Sequence, residues 1–176
     1  MKVTSGSAGG IHIDYPSSSR PTTDKVRQAI FSALGSRIDF EGKSALDMFA
    51  GSGAMGIEAL SRGAKTAVFI DTNKDACKII QKNLEKAKLD TYGIILNIDF
   101  QKFQSDTQFD IIFLDPPYDK NLLEPALKMI IDKNLTHSNS LIICENNVEI
   151  TYSPELEVVF NKKYGTIHIA ILTPKS

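Results

Sequence analysis

The chain has no tryptophan, two cysteines and three histidines in 176 residues. Cys77 and Cys144 are too few and too isolated for a disulfide framework or a metal cluster, so two reduced thiols in a cytoplasmic protein are expected. His12, His137 and His168 are scattered, with no carboxylate or cysteine at ligand spacing. No nucleophile elbow or Ser-His-Asp order appears, so neither a metal site nor a hydrolase triad is expected. Long apolar runs are missing too. Ile111-Ile112-Phe113-Leu114 is strand-length, far short of the roughly 20 residues of a membrane span. No apolar h-region follows Met1, so no signal peptide is expected. Neither sign of charge is in excess: Lys plus Arg is 20, Asp plus Glu is 21, and the net charge is -1. A nucleic-acid binder held by bulk charge usually carries a basic surplus, so any polyanion contact here has to be local. Residues 1–40 hold five bases against three acids and the remainder is net negative, which places such a contact near the N-terminus.

What is present is an ordinary globular balance, 42% apolar and 23% charged. At about 150 residues per domain the chain makes one domain over 1–176. It divides into an N-terminal hairpin and helix extension (1–40) and an alternating sheet (43–176). Lys2–Thr4 and Ile11–Tyr15 flank a Gly/Ser turn and read as the hairpin. A helix starts at Thr22 or Thr23 as cap, carries Val26, Ile30 and Leu34 as its apolar stripe, and stops at Gly35. Strand-like runs follow at Ser44–Phe49, Thr66–Asp71, Gly93–Ile98, Phe109–Asp115 and Ser140–Glu145, with helices at about 54–62, 74–88 and 121–133. Apolar strands alternating with helices imply a parallel sheet with right-handed crossovers. Glu155–Phe160 and Thr166–Leu172, joined by Asn161–Gly165, pair antiparallel because the link is too short for a helix. The expected fold is α/β and Rossmann-like, with a seven-stranded, mostly parallel sheet and an antiparallel C-terminal hairpin.

Gly51, Gly53 and Gly56 sit where the first strand turns into the first crossover helix, and Asp71 ends the second strand twenty residues after Gly51. Glycines allow close backbone approach to a ligand, the helix N-terminus offers unpaired N–H groups, and the acid accepts from ribose hydroxyls. A dinucleotide would set its pyrophosphate on that helix end, where Asp47 at the end of the first strand would repel it. Asp47 suits a cation instead, such as the ammonium of S-adenosylmethionine. Asp99, at the end of the third strand, is placed to accept from the adenine amino group, with Phe100 against the ring.

Asp115-Pro116-Pro117-Tyr118 closes the fourth strand and is the most specific feature of the chain. In open parallel sheets ligands bind outside such carboxyl ends. Two prolines stiffen the loop and donate no hydrogen bonds. Asp115 and the Pro116 carbonyl are placed to accept both hydrogens of an exocyclic amine, and Tyr118 to stack on a planar base. That arrangement fits methylation of an aromatic amino group, with a base first turned out of its helix. This motif is read as lying two strands from the glycine turn in the sheet. Glu145, ending the fifth strand, either lines the cleft or simply ends a strand.

Together, Arg20–Phe31, Leu46–Gly63, Asp115–Tyr118 and Lys163–Thr166 resemble the RsmD-type family of class I S-adenosylmethionine-dependent methyltransferases, over nearly the whole chain. The resemblance implies methylation of the exocyclic N2 of a guanine in 16S rRNA of the small ribosomal subunit. It implies that Asp47, Gly51 and Gly53 contact the cofactor's methionine and backbone, Asp71 the ribose, and Asp99 with Phe100 the adenine, with Phe49, Ala50 and Ser52 also cofactor-binding. Asp115, Pro116, Pro117 and Tyr118 form the catalytic clamp, and Arg20–Thr23 is similar to the segment that closes over the site. Family members usually have a more basic N-terminal hairpin than Gly6-Ser7-Ala8-Gly9-Gly10, which makes Arg20, Lys25, Arg27 and Lys43 the RNA-binding candidates. The expected partner is 16S rRNA, within a small-subunit ribonucleoprotein particle, with the enzyme a monomer and no metal or membrane involved. A DNA adenine-N6 or cytosine-N4 methyltransferase is the alternative, disfavoured because 176 residues leave no room for a target-recognition region. A nucleotide-binding dehydrogenase is opposed by Asp47, and a non-catalytic nucleotide-binding module by the Pro-Pro clamp.

Overall fold

The computed structural model describes residues 1–16, 24–117, 120–147 and 152–175. The elements run α1 (Asp24–Gly35), β1 (Ser44–Asp47), α2 (Ala54–Ser61), β2 (Thr66–Ile70), α3 (Lys74–Ala87), β3 (Gly93–Leu96), β4 (Ile111–Leu114), α4 (Leu123–Asp132), β5 (Leu141–Asn146), β6 (Leu156–Tyr164) and β7 (Ile167–Pro174). They build one seven-stranded sheet of order β3-β2-β1-β4-β5-β7-β6. β1 to β5 are parallel, and β7 runs antiparallel to both β5 and β6. This is the Rossmann-like arrangement expected from the alternation of strands and helices.

β4 shows why the central strands are continuous apolar runs. Ile111 and Phe113 face a core shared with Ile30, Ile57 and Ile80 from α1, α2 and α3. Ile112 and Leu114 face the opposite core, with Leu127 and Ile130 from α4. A strand buried on both faces has no place for polar alternation. α3 is delimited chemically: the Asn73 side chain accepts from the Asp75 and Ala76 N–H groups, and Lys88 closes it in a left-handed conformation.

Two expectations change. β1 and β4 are direct neighbours, with Leu46 opposite Ile112, so the glycine turn and the Asp-Pro-Pro loop are adjacent, not two strands apart. β6 runs on through Asn161–Tyr164, leaving Gly165 and Thr166 as the turn. An outermost strand keeps pairing without apolar alternation, which is why its polar end reads as a link in the sequence. The N-terminal hairpin pairs as expected around the Lys2–His12 bridge, with the Val3, Gly10 and Ile13 N–H groups donating to the Ile11, Val3 and Met1 carbonyls at 2.9 Å each, and α2 holds it as well. The Thr4 N–H and hydroxyl donate to Glu58 at 2.7 and 2.5 Å, and the Ser7 N–H donates to the Ser61 carbonyl at 2.8 Å. The Thr22/Thr23 cap lies outside the described residues.

Gly56 is fixed by packing. A Cβ built there would lie 2.3 Å from the ring of Phe69, a fully buried side chain. Gly56→Ala is therefore expected to cost about 1–3 kcal/mol by overpacking, read as a lower denaturant midpoint.

Candidate active site

A cleft of about 1230 Å³ opens at the carboxyl ends of the parallel strands. Asp47, Gly51, Asp71, Asp99, Asp115, Pro116 and Pro117 all line it. The acids expected at successive strand ends thus share one cleft with the proline loop.

Asp47 ends β1 and is 3% exposed. Its Oδ2 accepts from the Gly56 N–H in the first turn of α2 at 3.1 Å. Burial pushes its carboxyl up to about 7, the single Gly56 hydrogen bond opposes the shift, and the charge of Asp71 adds to it. A buried acid in this condition gains most from a cation brought beside it. The turn after it is left-handed at Gly51 (φ +54) and Gly53 (φ +77), and a side chain at Gly51 would meet no atom within 4 Å. Ser52 is buried, and its carbonyl accepts from Asn83 Nδ2 at 2.9 Å. Ala50 is held by its N–H to the Ile70 carbonyl at 3.0 Å.

Asp71 ties the cleft together. Its Oδ2 accepts from the Gly51 N–H at 2.8 Å and its Oδ1 from the Asn73 N–H at 2.8 Å, which leaves acceptor capacity on both oxygens. Asp99 is exposed, and its Oδ1 accepts from the Gln101 N–H at 2.8 Å, capping a short 3₁₀ turn at Phe100–Lys102. Phe100 is buried against the half-exposed Phe49, with ring centroids 5.2 Å apart. On β4, Asp115 is half-buried, Pro116 buried and Pro117 exposed. The Pro117 carbonyl accepts from the Lys120 N–H at 3.2 Å, closing the loop on itself. Tyr118 and Arg20 lie outside the described residues.

Two of the candidate RNA-binding bases are corrected. Arg27 is fully buried: it bonds the Lys2 carbonyl and Asp24 and lies 3.9 Å from Glu58. It lines the inner wall of the cleft, with Nε and Nη1 lacking hydrogen-bond partners among the described residues, so it is no surface base. Lys43 precedes β1, at the opposite edge of the sheet from the cleft, and pairs with Asp110 at 3.3 Å. Lys25 is exposed on α1. Glu145, 4% exposed at the end of β5, lines the cleft; its strand-end position was the available signal. Tyr15 and Thr166 also line it; Tyr15 carries no motif that marks it, and Thr166 closes the Lys163–Thr166 segment of the family resemblance, to which no site role is assigned. Among the described residues no group of three or more His, Cys, Asp or Glu side chains is placed to hold a metal ion. No helix among them is long and apolar enough to cross a membrane.

Residues 1–173 match the protein family described as "Conserved hypothetical protein 95". The chain belongs to this family, the RsmD-type methyltransferases. It is 34% identical to YlbH of Bacillus subtilis (strain 168) over 97% of both chains. It is 35% identical to the Ribosomal RNA small subunit methyltransferase D of Escherichia coli (strain K12), over 85% of this chain and 76% of that one. The solved structure of yhhF from Escherichia coli matches with a TM-score of 0.89 at 28% identity, over 99% of this chain and 98% of that one. In this RsmD-type chain the match spans the hairpin, the cleft and the C-terminal strands together.

Proposed function

We propose that this RsmD-type methyltransferase uses S-adenosylmethionine to methylate the exocyclic N2 of a guanine in 16S rRNA. The observation that carries the reading is one cleft holding the buried Asp47 on β1 beside the Asp115-Pro116-Pro117 loop on the adjacent β4. One acid suits a cationic cofactor and the other an amine substrate, on neighbouring strand ends.

The residues present fit the cofactor. Asp47 meets its ammonium, which draws that carboxyl back down from about 7. The backbone of Phe49, Ala50, Gly51 and Ser52 lines the methionine part, and the space beside Gly51 admits it, whereas Gly53 does not line the cleft and backs onto the Ile57 and Ile80 side chains. Asp71 accepts from the ribose hydroxyls, while Asp99 and Phe100 border the adenine. When bound, the cofactor supplies an electrophilic methyl group on a sulfonium. Asp115 and the Pro116 carbonyl hold the two hydrogens of the target amine. This helps pyramidalise the nitrogen and aims its lone pair, so that rate comes from orientation and electrostatics. Tyr118 completes the clamp by stacking on the base. The enzyme acts as a cytoplasmic monomer on a small-subunit ribonucleoprotein particle, without a metal. The Escherichia coli relative's name, a small-subunit ribosomal RNA methyltransferase, supports the substrate class.

Asp71→Ala is expected to weaken cofactor binding by about 1–3 kcal/mol, the worth of hydrogen bonds to a charged acceptor. The same change frees the Gly51 N–H. Calorimetric titration checks it, and an unchanged affinity contradicts the ribose role. The function itself is tested by tritiated-methyl transfer onto purified small subunits, free 16S RNA and DNA side by side. Label in the RNA is expected; label in DNA alone overturns the reading.

A further inference from the structure

β6 is the outermost strand, and its register with β7 sorts its side chains onto two faces. Phe160, Lys162 and Tyr164 pair with Ile171, Ile169 and Ile167, which belong to or pack against the core beneath α1. Arg37, two residues beyond α1, joins this face: its guanidinium lies 5.3 Å from the Phe160 ring centroid, and Nη2 donates to the Val159 carbonyl at 3.3 Å. Lys162 Nζ sits 5.3 Å from the Tyr164 ring centroid. Each cation is thus placed on an aromatic face instead of a carboxylate. Arg37, Lys162 and the neighbouring Lys163 are all exposed. Among the described residues none of the three has a carboxylate within ion-pair distance, whereas Lys78, Lys86 and Lys128 are paired.

The direction of the strand gives this stripe its meaning. Phe160 to Tyr164 covers about 13 Å at the rise of a β-strand. At Tyr164 the chain enters the turn whose Thr166 lines the cleft, as does Ile167 after it. Uncompensated positive charge therefore runs along the sheet edge and ends at the cleft mouth. In a chain of net charge -1, this is a local attraction for a polyanion that bulk composition conceals.

We propose that the exposed edge of β6, with Arg37 and Lys162 on its α1 side and Lys163 on the other, binds the phosphate backbone of the RNA and leads it to the cleft. This rests on the RNA methyltransferase reading above. It replaces Arg27 and Lys43 as the basic contact. Contacts of this kind fix position and register and leave recognition of the base to the clamp. The free edge of β6 also has the geometry for strand addition by a protein, but unpaired cations raised on aromatic rings favour a phosphate chain.

The test is the double variant K162A/K163A, with K162R/K163R as the charge-conserving control, in filter binding to naked 16S RNA and to small-subunit particles. At roughly physiological salt K162A/K163A is expected to bind naked RNA about 10-fold more weakly, and its dependence of log affinity on log salt to flatten by about 1.4–1.8 for two lost phosphate contacts. Cofactor affinity and melting temperature stay at the wild-type values, and K162R/K163R binds like wild type. Wild-type affinity and salt slope in K162A/K163A overturn the proposal. Loss confined to assembled particles overturns it as well and assigns the edge to a protein partner. A wild-type protein that binds neither RNA form overturns the functional reading along with it. Wild-type methylation of RNA with an unaffected variant overturns this surface alone.

Discussion

Replacing Asp115 with alanine is expected to abolish methyl transfer while leaving cofactor affinity within several-fold of wild type. Asp115 follows β4 in the loop stiffened by Pro116 and Pro117, across the β1–β4 pairing from the glycine turn. In the proposed arrangement its carboxylate holds the target amine, while the cofactor is held by Asp47, Asp71 and the glycine turn. Alanine removes the acceptor that orients that nitrogen and leaves Asp47, Asp71 and the glycine turn in place. Losing a positioned charge in a partly water-excluded site costs about 10²–10³ in rate for comparable electrostatic groups, and losing the aim of the lone pair adds to it. Single-turnover transfer and calorimetric cofactor binding, measured on one preparation, separate the two effects. Equal loss of both would remove Asp115 from the base clamp.

The second large effect concerns Asp47 and has opposite signs for stability and binding. Its carboxyl sits at about 7 in the folded chain against an ordinary 3.8. Between those values the folded protein holds a proton that the unfolded chain has released, so stability falls as pH rises from about 4 to 7. The contribution is fully present below pH 4 and is lost above 7. Asn cannot ionise, and its amide oxygen still accepts the Gly56 N–H. Asp47→Asn is therefore expected to be more stable than wild type at pH 8 by roughly 2–4 kcal/mol, with the difference vanishing toward pH 4. Cofactor binding at pH 8 should weaken roughly 10- to 100-fold, as expected for a hydrogen bond to a charged group. Wild-type binding should also strengthen from pH 6 to 8 and release close to one proton below pH 7. Thermal melts against pH and titrations in buffers of differing ionisation enthalpy check both halves. A variant that melts lower at pH 8 and binds normally contradicts the role given to Asp47.

The central strands were legible because burial on both faces leaves an unbroken apolar signature, as in Ile111–Leu114. For the same reason the apolar runs overrun β1 to β4 by one or two residues, while β5 extends one residue beyond its run, to Asn146. Met48 and Phe49 are apolar too, yet they turn away from β1 toward the cleft. The acids of the site were legible because strand ends in a parallel sheet have a fixed meaning, and Asp47, Asp71, Asp99 and Asp115 meet in one cleft. The adjacency of β1 and β4 was not, since strand order depends on where the winding reverses and composition does not record that. Arg27 reads as a solvated base because nothing local announces its partners: Glu58 comes from α2 and the Lys2 carbonyl from the hairpin. Lys43 could have been set aside from sequence, because a residue before the first strand belongs to the edge opposite the ligand. The β6 bases were hidden in a segment whose polarity reads as a linker, and only the pairing with β7 gives them a face.

The most direct measurement is nucleoside analysis of 16S rRNA, taken from small-subunit particles, after incubation with the protein and methyl-labelled S-adenosylmethionine. N2-methylguanosine is the predicted labelled product, present with the wild-type chain and absent with Asp115→Ala. Label in N6-methyladenosine or N4-methylcytosine, or no labelled nucleoside from any small-subunit RNA, would contradict the account.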